Sequence, residues 1–154
     1  MAARIQITNI DDVLRGLNAA QDKIEEATRY ALGMAGLQVE RQAKINASNG
    51  TRVRRGGRIV PPRHIGPSGS GPNVISGNLR RSISTKVMQG FGSTYIAEVS
   101  ASMVYARAVE EGLPEWNGVK YPYLRPAADT LRNNGTLSRV FMTNVAMRLR
   151  GISG

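Results

Sequence analysis

The sequence predicts an α+β domain in which helices pack on a small antiparallel sheet. Three observations predict this class. Apolar residues at helical spacing run through residues 24–37, and a second apolar helical face occupies residues 131–149. Between them, apolar and polar residues alternate over 83–99 on either side of a glycine-bearing turn, as in a β-hairpin. The length of 154 residues suits a single domain, 1–154.

Residues 1–46 are predicted to hold a strand and helices. Residues 4–8 alternate apolar and polar side chains, which favours a short half-buried strand. Capping candidates then open a first helix. Asp22, with Glu25 three residues later, has the spacing of a capping box and predicts the start of a second helix. We expect this second helix to continue to about residue 46.

The apolar stripe of that second helix is rich in small residues. Gly33 and Gly36 weaken it, since each costs up to about 1 kcal/mol relative to Ala in a helix interior. Small side chains on the stripe would, however, let another element approach the helix closely.

Residues 47–75 are predicted to form a flexible basic loop. Repeated Gly and Pro signals, such as Gly56-Gly57 and Pro61-Pro62, interrupt any periodic pattern. A structureless loop of about 25 residues is unusual in a compact domain and is generally functional or mobile.

The net charge of +10 is concentrated around this loop. Residues 45–97 contain eight basic residues and no Asp or Glu, while the other residues carry 13 basic against 11 acidic side chains. The eight basic residues are Arg52, Arg54, Arg55, Arg58, Arg63, Arg80, Arg81 and Lys86. Arg80 and Arg81 differ from the others because they flank a strand start, and we expect one of them to be structural.

Residues 76–154 are predicted to form a hairpin, a short helix and a C-terminal helix. The hairpin spans 79–100, and the short helix Met103–Glu111 ends at Gly112 in a C-cap position. Pro126 suits the first turn of the last helix, which has a candidate break at residues 133–135.

Signals for other classes of protein are missing from the sequence. No segment has the length of apolar residues that a membrane helix needs, and the first residues lack the apolar core of a signal peptide, so we expect a cytosolic start. Cysteine is absent, and the single histidine, His64, lies in the predicted loop. Glu110 and Glu111 point about 100° apart on a helix and cannot converge as an acid/base pair. We therefore expect no enzyme, no catalytic residue, no metal site and no cofactor.

Two phrases carry a family resemblance. The first is Ser76-Gly77-Asn78-Leu79-Arg80-Arg81-Ser82-Ile83, which follows the long helix and enters the hairpin. The second is Tyr105-Ala106-Arg107-Ala108-Val109-Glu110-Glu111-Gly112, followed by Tyr121-Pro122-Tyr123-Leu124-Arg125-Pro126-Ala127. Together they resemble the neck and tail-component family of long-tailed bacteriophages, akin to the minor tail protein Z group. The resemblance covers residues 20–150 in the same order.

The motif positions also have structural interpretations. Gly77 would allow the turn into the strand, while Leu79 and Ile83 would anchor the core. We expect Tyr105, Ala106 and Val109 to form the buried side of the short helix, which ends at Gly112. Glu110 would accept hydrogen bonds from Arg80, Arg81 or Arg125. Pro122 and Pro126 would bracket an extended Tyr123-Leu124-Arg125 segment, in which Tyr123 and Leu124 pack inward. Ser82 completes the set of motif residues.

The resemblance implies a non-enzymatic structural protein of the virion. Copies would form a homo-oligomeric ring at the head–tail junction, completing the tail or joining it to the head, around the channel through which genomic DNA passes. Other neck, connector or tail-tube proteins would be its partners, assembly would take place in the host cytoplasm, and no membrane would be involved.

The basic loop leaves an alternative open. Arg52, Arg54, Arg55, Arg58 and Arg63 are candidate contacts to DNA or to another subunit. Loop arginines can neutralise phosphates without reading sequence, so the chain could instead be a small DNA-binding accessory protein. They could equally keep the loop soluble or pair with acidic faces of a neighbouring subunit. A scarcity of aromatic residues, 5% of the chain, argues against a base-stacking platform.

Overall fold

A computed structural model of the protein describes residues 10–48, 54–55, 58–59, 72, 77–114 and 119–150. It has the predicted α+β architecture. In chain order the elements are α1 (Ile10–Asn46), β1 (Arg54–Arg55), β2 (Arg58–Ile59), α2 (Asn78–Ser82), β3 (Ile83–Gln89), β4 (Tyr95–Ala101), α3 (Ala106–Glu111), α4 (Leu124–Asn133) and α5 (Thr136–Leu149). None of the helices in these ranges is both long and apolar enough to cross a membrane.

Helix α1 is continuous over 37 residues, or about 55 Å, where two helices were expected. The expected break before Asp22 is wrong because residues 18–21 include no Gly or Pro, and the backbone hydrogen bonds run on through them. Glu25 does not close a capping box. Instead it accepts a hydrogen bond of 2.8 Å from the Tyr95 hydroxyl on β4. The predicted end near residue 46 is confirmed.

The larger elements pack on α1. It contacts α4 and α5 as well as both strands of the β3–β4 sheet. The buried core lies around its C-terminal half, where small side chains of α1 meet larger ones from the later elements. Its members are Val39, Ala43, Ala47, Leu79, Ile83, Ala106, Tyr123, Ala127 and Leu131.

Strands β3 and β4 form the predicted hairpin, paired antiparallel from Ile83 opposite Ala101 to Gln89 opposite Tyr95. One face of the sheet packs on α1 at its glycines. A Cβ on Gly36 would lie 2.5 Å from Thr85 Cγ2, whereas a Cβ on Gly33 would lie 3.6 Å from Val87 Cγ2. The expected close approach is therefore confirmed, and Gly36 is the residue that permits it.

The start of the predicted strand region is helical. Residues 78–82 form α2, which follows Gly77 in the left-handed conformation at φ 75°. The Arg81 amide donates to the Gly77 carbonyl, and the Ser82 hydroxyl donates to the Leu79 carbonyl, so this turn closes on itself before Ile83 becomes extended. The prediction of strand from residue 79 is therefore wrong by one helical turn.

The predicted structureless loop contains a short two-stranded ladder. Strand β1 pairs antiparallel with β2, with Arg54 opposite Ile59 and Arg55 opposite Arg58. The remainder of residues 49–76, apart from Pro72, lies outside the described residues, as do the predicted strand at 4–8 and His64.

The C-terminal helices begin and end near the Gly and Pro residues that predicted their limits. Helix α3 ends at Gly112, whose φ of 80° suits glycine. The candidate break at residues 133–135 is real, because Gly135 is left-handed at φ 71° and separates α4 from α5. Pro126 lies in the first turn of α4, where its missing N–H does no harm. The predicted extended segment is wrong, since Leu124 and Arg125 already belong to α4.

Candidate functional site

The apolar motif residues converge on one cluster. Leu79 and Ile83, Ala106, and Tyr123 come from three separated parts of the chain and lie in the same buried core. Val109 and Leu124 pack against this core from its edge. The predicted anchoring by Leu79, Ile83, Tyr123 and Leu124 is confirmed.

Tyr105 does not share the predicted buried side of α3. It is 42% exposed, whereas Ala106 beside it is buried. Tyr105 occupies the N-cap position, one residue before the helix begins, so its side chain does not follow the helical stripe. The pattern placed the start of α3 too early.

Glu110 caps α4 from the neighbouring helix. Its Oε2 accepts hydrogen bonds from the backbone N–H groups of Tyr123 (2.8 Å) and Leu124 (3.0 Å), and its Oε1 accepts one from the N–H of Arg125 (2.8 Å). The expected bonds from the side chains of Arg80, Arg81 or Arg125 are not made. Amides at a helix N-terminus lack intrahelical partners, and α4 has no capping side chain of its own.

Glu111 forms a separate, exposed contact on the same helix. Arg107 Nε donates to its Oε2 at 2.7 Å, one helical turn away. This hydrogen bond and the positive charge of Arg107 lower the pKa of Glu111. The two adjacent glutamates thus have separate roles. Glu110 caps α4, and Glu111 forms an ion pair with Arg107.

Tyr123 is deeply buried, at 2% exposure. Burial, and then the negative charge of Glu110, raises its pKa to about 12. Its carbonyl accepts a 3.0 Å hydrogen bond from Asn46 Nδ2 at the end of α1. The second motif phrase therefore fixes the start of α4 against both α1 and α3.

The candidate loop arginines are only partly placed by the structure. Arg54, Arg55 and Arg58 lie on β1 and β2, while Arg52 and Arg63 lie outside the described residues. Their predicted contacts to DNA or to another subunit therefore stay predictions.

A groove of about 850 Å³ lies between α1 and α2. We call it the cationic groove. These two helices flank residues 49–76, which we call the basic segment. Ser48, just after α1, and Arg80 of α2 both line the groove, and Arg80 Nη1 reaches Ser48 Oγ at 3.5 Å. Its lining residues are Leu37, Glu40, Arg41, Lys44, Ile45, Ser48, Arg80 and Arg81.

Among the described lining residues, the groove carries an excess of positive charge, with four basic side chains against one acidic side chain. Glu40 is already engaged by Lys44 Nζ at 2.5 Å and by the Thr85 hydroxyl at 2.8 Å. Burial alone would raise the pKa of Glu40, but these hydrogen bonds and the charge of Lys44 bring it below its ordinary value. Arg41, Arg80 and Arg81 make no ion pair with any acidic residue that the structure describes.

The motif arginines thus have partners other than those expected. Arg81 bonds to the Asn78 side chain at 2.5 Å within α2, and Arg80 reaches the end of α1. The sequence drew attention to both, but it did not connect them with Arg41 and Lys44. These two precede the basic loop by several residues, and only the return of the chain at α2 brings the four together.

A second groove, of about 510 Å³, is lined mainly by apolar side chains from α1, β4 and α5, including Leu32, Val99, Phe141 and Met142. No sequence signal marks it, because its walls come from three elements. Over the described ranges, no three His, Cys, Asp or Glu side chains lie close enough to hold a metal ion. Comparisons of the chain with protein-family models, curated proteins and solved structures gave no match.

Proposed function

We propose that the protein is a structural protein of the phage neck or tail, forming a ring at the head–tail junction around the DNA channel. The observation that carries the proposal is the ordered set of phrases at 76–83, 105–112 and 121–127. Its apolar members build one core, and Glu110 within 105–112 caps α4, the helix that begins within 121–127. The phrases therefore work as one structural unit.

The surface chemistry supports assembly as the activity. The cationic groove borders both ends of the basic segment, and three of its arginines lack an acidic partner among the described residues. Exposed apolar side chains also occur on α1 and on the outer face of the sheet, where Met88 lies opposite Ile96. Unpaired charge next to exposed apolar surface suits contact with neighbouring subunits.

Sedimentation velocity over a range of concentrations tests this function. The proposal predicts a discrete closed oligomer, together with negligible affinity of the free monomer for duplex DNA. A monomer at every concentration would contradict it.

The same cations favour one competing function, a DNA-binding accessory protein. A filter-binding titration with duplex DNA separates the two functions. Affinity of a free monomer that falls steeply as salt rises, through release of counterions from phosphates, would favour the accessory protein.

A further inference from the structure

The N-terminal part of α1 projects beyond the body of the domain. We call residues Ile10–Ile24 the arm. Residues 11, 12 and 14–24 are exposed except the half-buried Ala20, whereas from Glu25 onward the helix bonds to the body through Tyr95 and Arg148. At 1.5 Å per residue the arm extends about 22 Å.

An apolar stripe runs along the arm. Leu14 (51% exposed), Leu17 (61%) and Ile24 (51%) lie within about 80° of one another around the helix axis. In the body, the small apolar side chains of α1, such as Ala27 and Ala31, are buried. The arm's larger apolar side chains have no such cover in the part of the chain that the structure describes.

The charge of this end of α1 complements that of the cationic groove. Residues 10–26 carry five acidic and two basic side chains, and Asp11 and Asp22 make no ion pair among the described residues. The groove has four basic side chains and one acidic side chain, and its walls include the exposed side chains of Leu37 and Ile45. The apolar stripe of the arm thus matches the apolar wall of the groove, and the acidic residues of the arm match the basic residues of the groove.

The arm cannot reach the groove of its own copy. Both lie on the same unbroken helix, with Leu37 thirteen residues beyond Ile24, or about 20 Å along the axis. An arm can therefore enter the groove only from another copy. Such a contact joins two different patches, so it repeats head to tail and closes into a ring when the rotation allows.

We propose that the arm of one copy docks in the cationic groove of the next and that this contact builds the assembly. The inference rests on the proposed ring and names its interface. Leu14, Leu17 and Ile24 pack against Leu37 and Ile45, while Asp11 and Asp22 face Arg41 and Arg80. The occupant of the groove is therefore a second copy of this chain.

Charge reversal on each side tests the contact in the full-length protein. The arm variant is Asp11→Arg/Asp22→Arg, and the groove variant is Arg41→Glu/Arg80→Glu. All four residues are exposed, and circular dichroism checks that each variant folds. Each variant alone should dissociate about 100-fold more readily than wild type because like charges meet. An equimolar mixture should assemble again, since each arm then faces a groove of opposite charge. Arg139→Glu/Arg150→Glu, the same charge change as in the groove variant at exposed positions in α5 and directly after it, should assemble as wild type does.

The outcomes separate this interface from the proposed function. Assembly by both variants as by wild type overturns the arm–groove contact and leaves the ring standing. Loss in the arm variant alone also overturns it, and indicates that arms pair with arms. Loss in both with rescue in the mixture supports the contact. If rescue occurs but electron micrographs show open filaments, the result supports the arm–groove contact and contradicts the proposed ring.

Discussion

Two neighbouring glutamates on α3 differ in the groups that their carboxylates bind. Glu110 accepts three backbone N–H bonds at the start of α4, whereas Glu111 pairs with Arg107 in solvent. Both carry the same charge and lie one residue apart. Their substitutions therefore separate helix capping from surface electrostatics.

Glu110→Ala should destabilise the fold by about 1–3 kcal/mol, because it leaves helix amides without partners. Glu111→Ala, the matched control, should leave the free energy of unfolding close to the wild-type value, as exposed ion pairs contribute little. Urea unfolding followed by circular dichroism measures both. Equal losses in the two variants would show that Glu110 is not the cap of α4.

Ionisation of Tyr123 lowers the stability of the fold at alkaline pH. Its pKa is about 12 in the folded protein against an ordinary value of 10.0, so the folded state keeps a proton that the unfolded state releases first. The stabilisation is therefore complete below pH 10 and is lost as the pH rises from 10 towards 12.

Tyr123→Phe should flatten the fall of unfolding free energy between pH 10 and 12, since the titrating hydroxyl is gone. Denaturant unfolding at several pH values in that window checks it. Tyr30→Phe, at an exposed position that does not contribute to the shift of Tyr123, serves as the control and should keep the wild-type slope. An unchanged slope in Tyr123→Phe would assign the alkaline transition to other groups.

At the scale of elements, the contact between α1 and the sheet depends on one missing methyl group. Thr85 packs over Gly36, and its hydroxyl is held by Glu40 of the same helix at 2.8 Å. The Thr85 methyl cannot move aside without disturbing that bond. Val87 over Gly33 leaves ordinary van der Waals space.

Gly36→Ala should therefore destabilise the protein by about 1–3 kcal/mol through overpacking, despite the better helix propensity of Ala. Gly33→Ala in the same helix should be neutral or stabilising by up to about 1 kcal/mol. Thermal unfolding of the two variants provides the comparison. A stabilised Gly36→Ala protein would contradict the close approach.

The basic segment between α1 and α2 also bears on assembly, since the elements on either side of it line the groove in which the arm docks. Deleting residues 50–71 keeps Pro72, which is buried, and leaves the ends of the segment next to the cationic groove. We expect a folded monomer that no longer assembles. A variant with Gln at positions 52, 54, 55, 58 and 63 controls for length and separates loss of charge from loss of chain. Unfolding of the deletion in circular dichroism would show that the segment belongs to the core.

For the whole molecule, local patterns predicted most of the architecture. The body of α1, the β3–β4 hairpin, the stop at Gly112 and the break at residues 133–135 are all encoded by nearby residues. The continuity of α1 was missed because a capping-box spacing at Asp22 resembles a helix start even within a helix. The helical turn of α2 was missed because it is only five residues long.

The candidate site was harder to predict because its residues meet only in three dimensions. Arg41 and Lys44 on α1 lie beside Arg80 and Arg81 of α2 although more than 25 residues separate the two pairs in the sequence, and no local spacing records this. Glu110 was expected to bind guanidinium groups, yet backbone amides took their place, since a helix start lacking its own cap needs an acceptor from elsewhere. The sequence showed which segment carries the positive charge, and the fold showed which basic side chains line the same groove.

Electron microscopy of the purified full-length protein in negative stain tests the central claim most directly. The account predicts closed rings of uniform size with a central channel, at concentrations where sedimentation also finds a discrete oligomer. Fields of isolated monomers, or open filaments without closed rings, would contradict it.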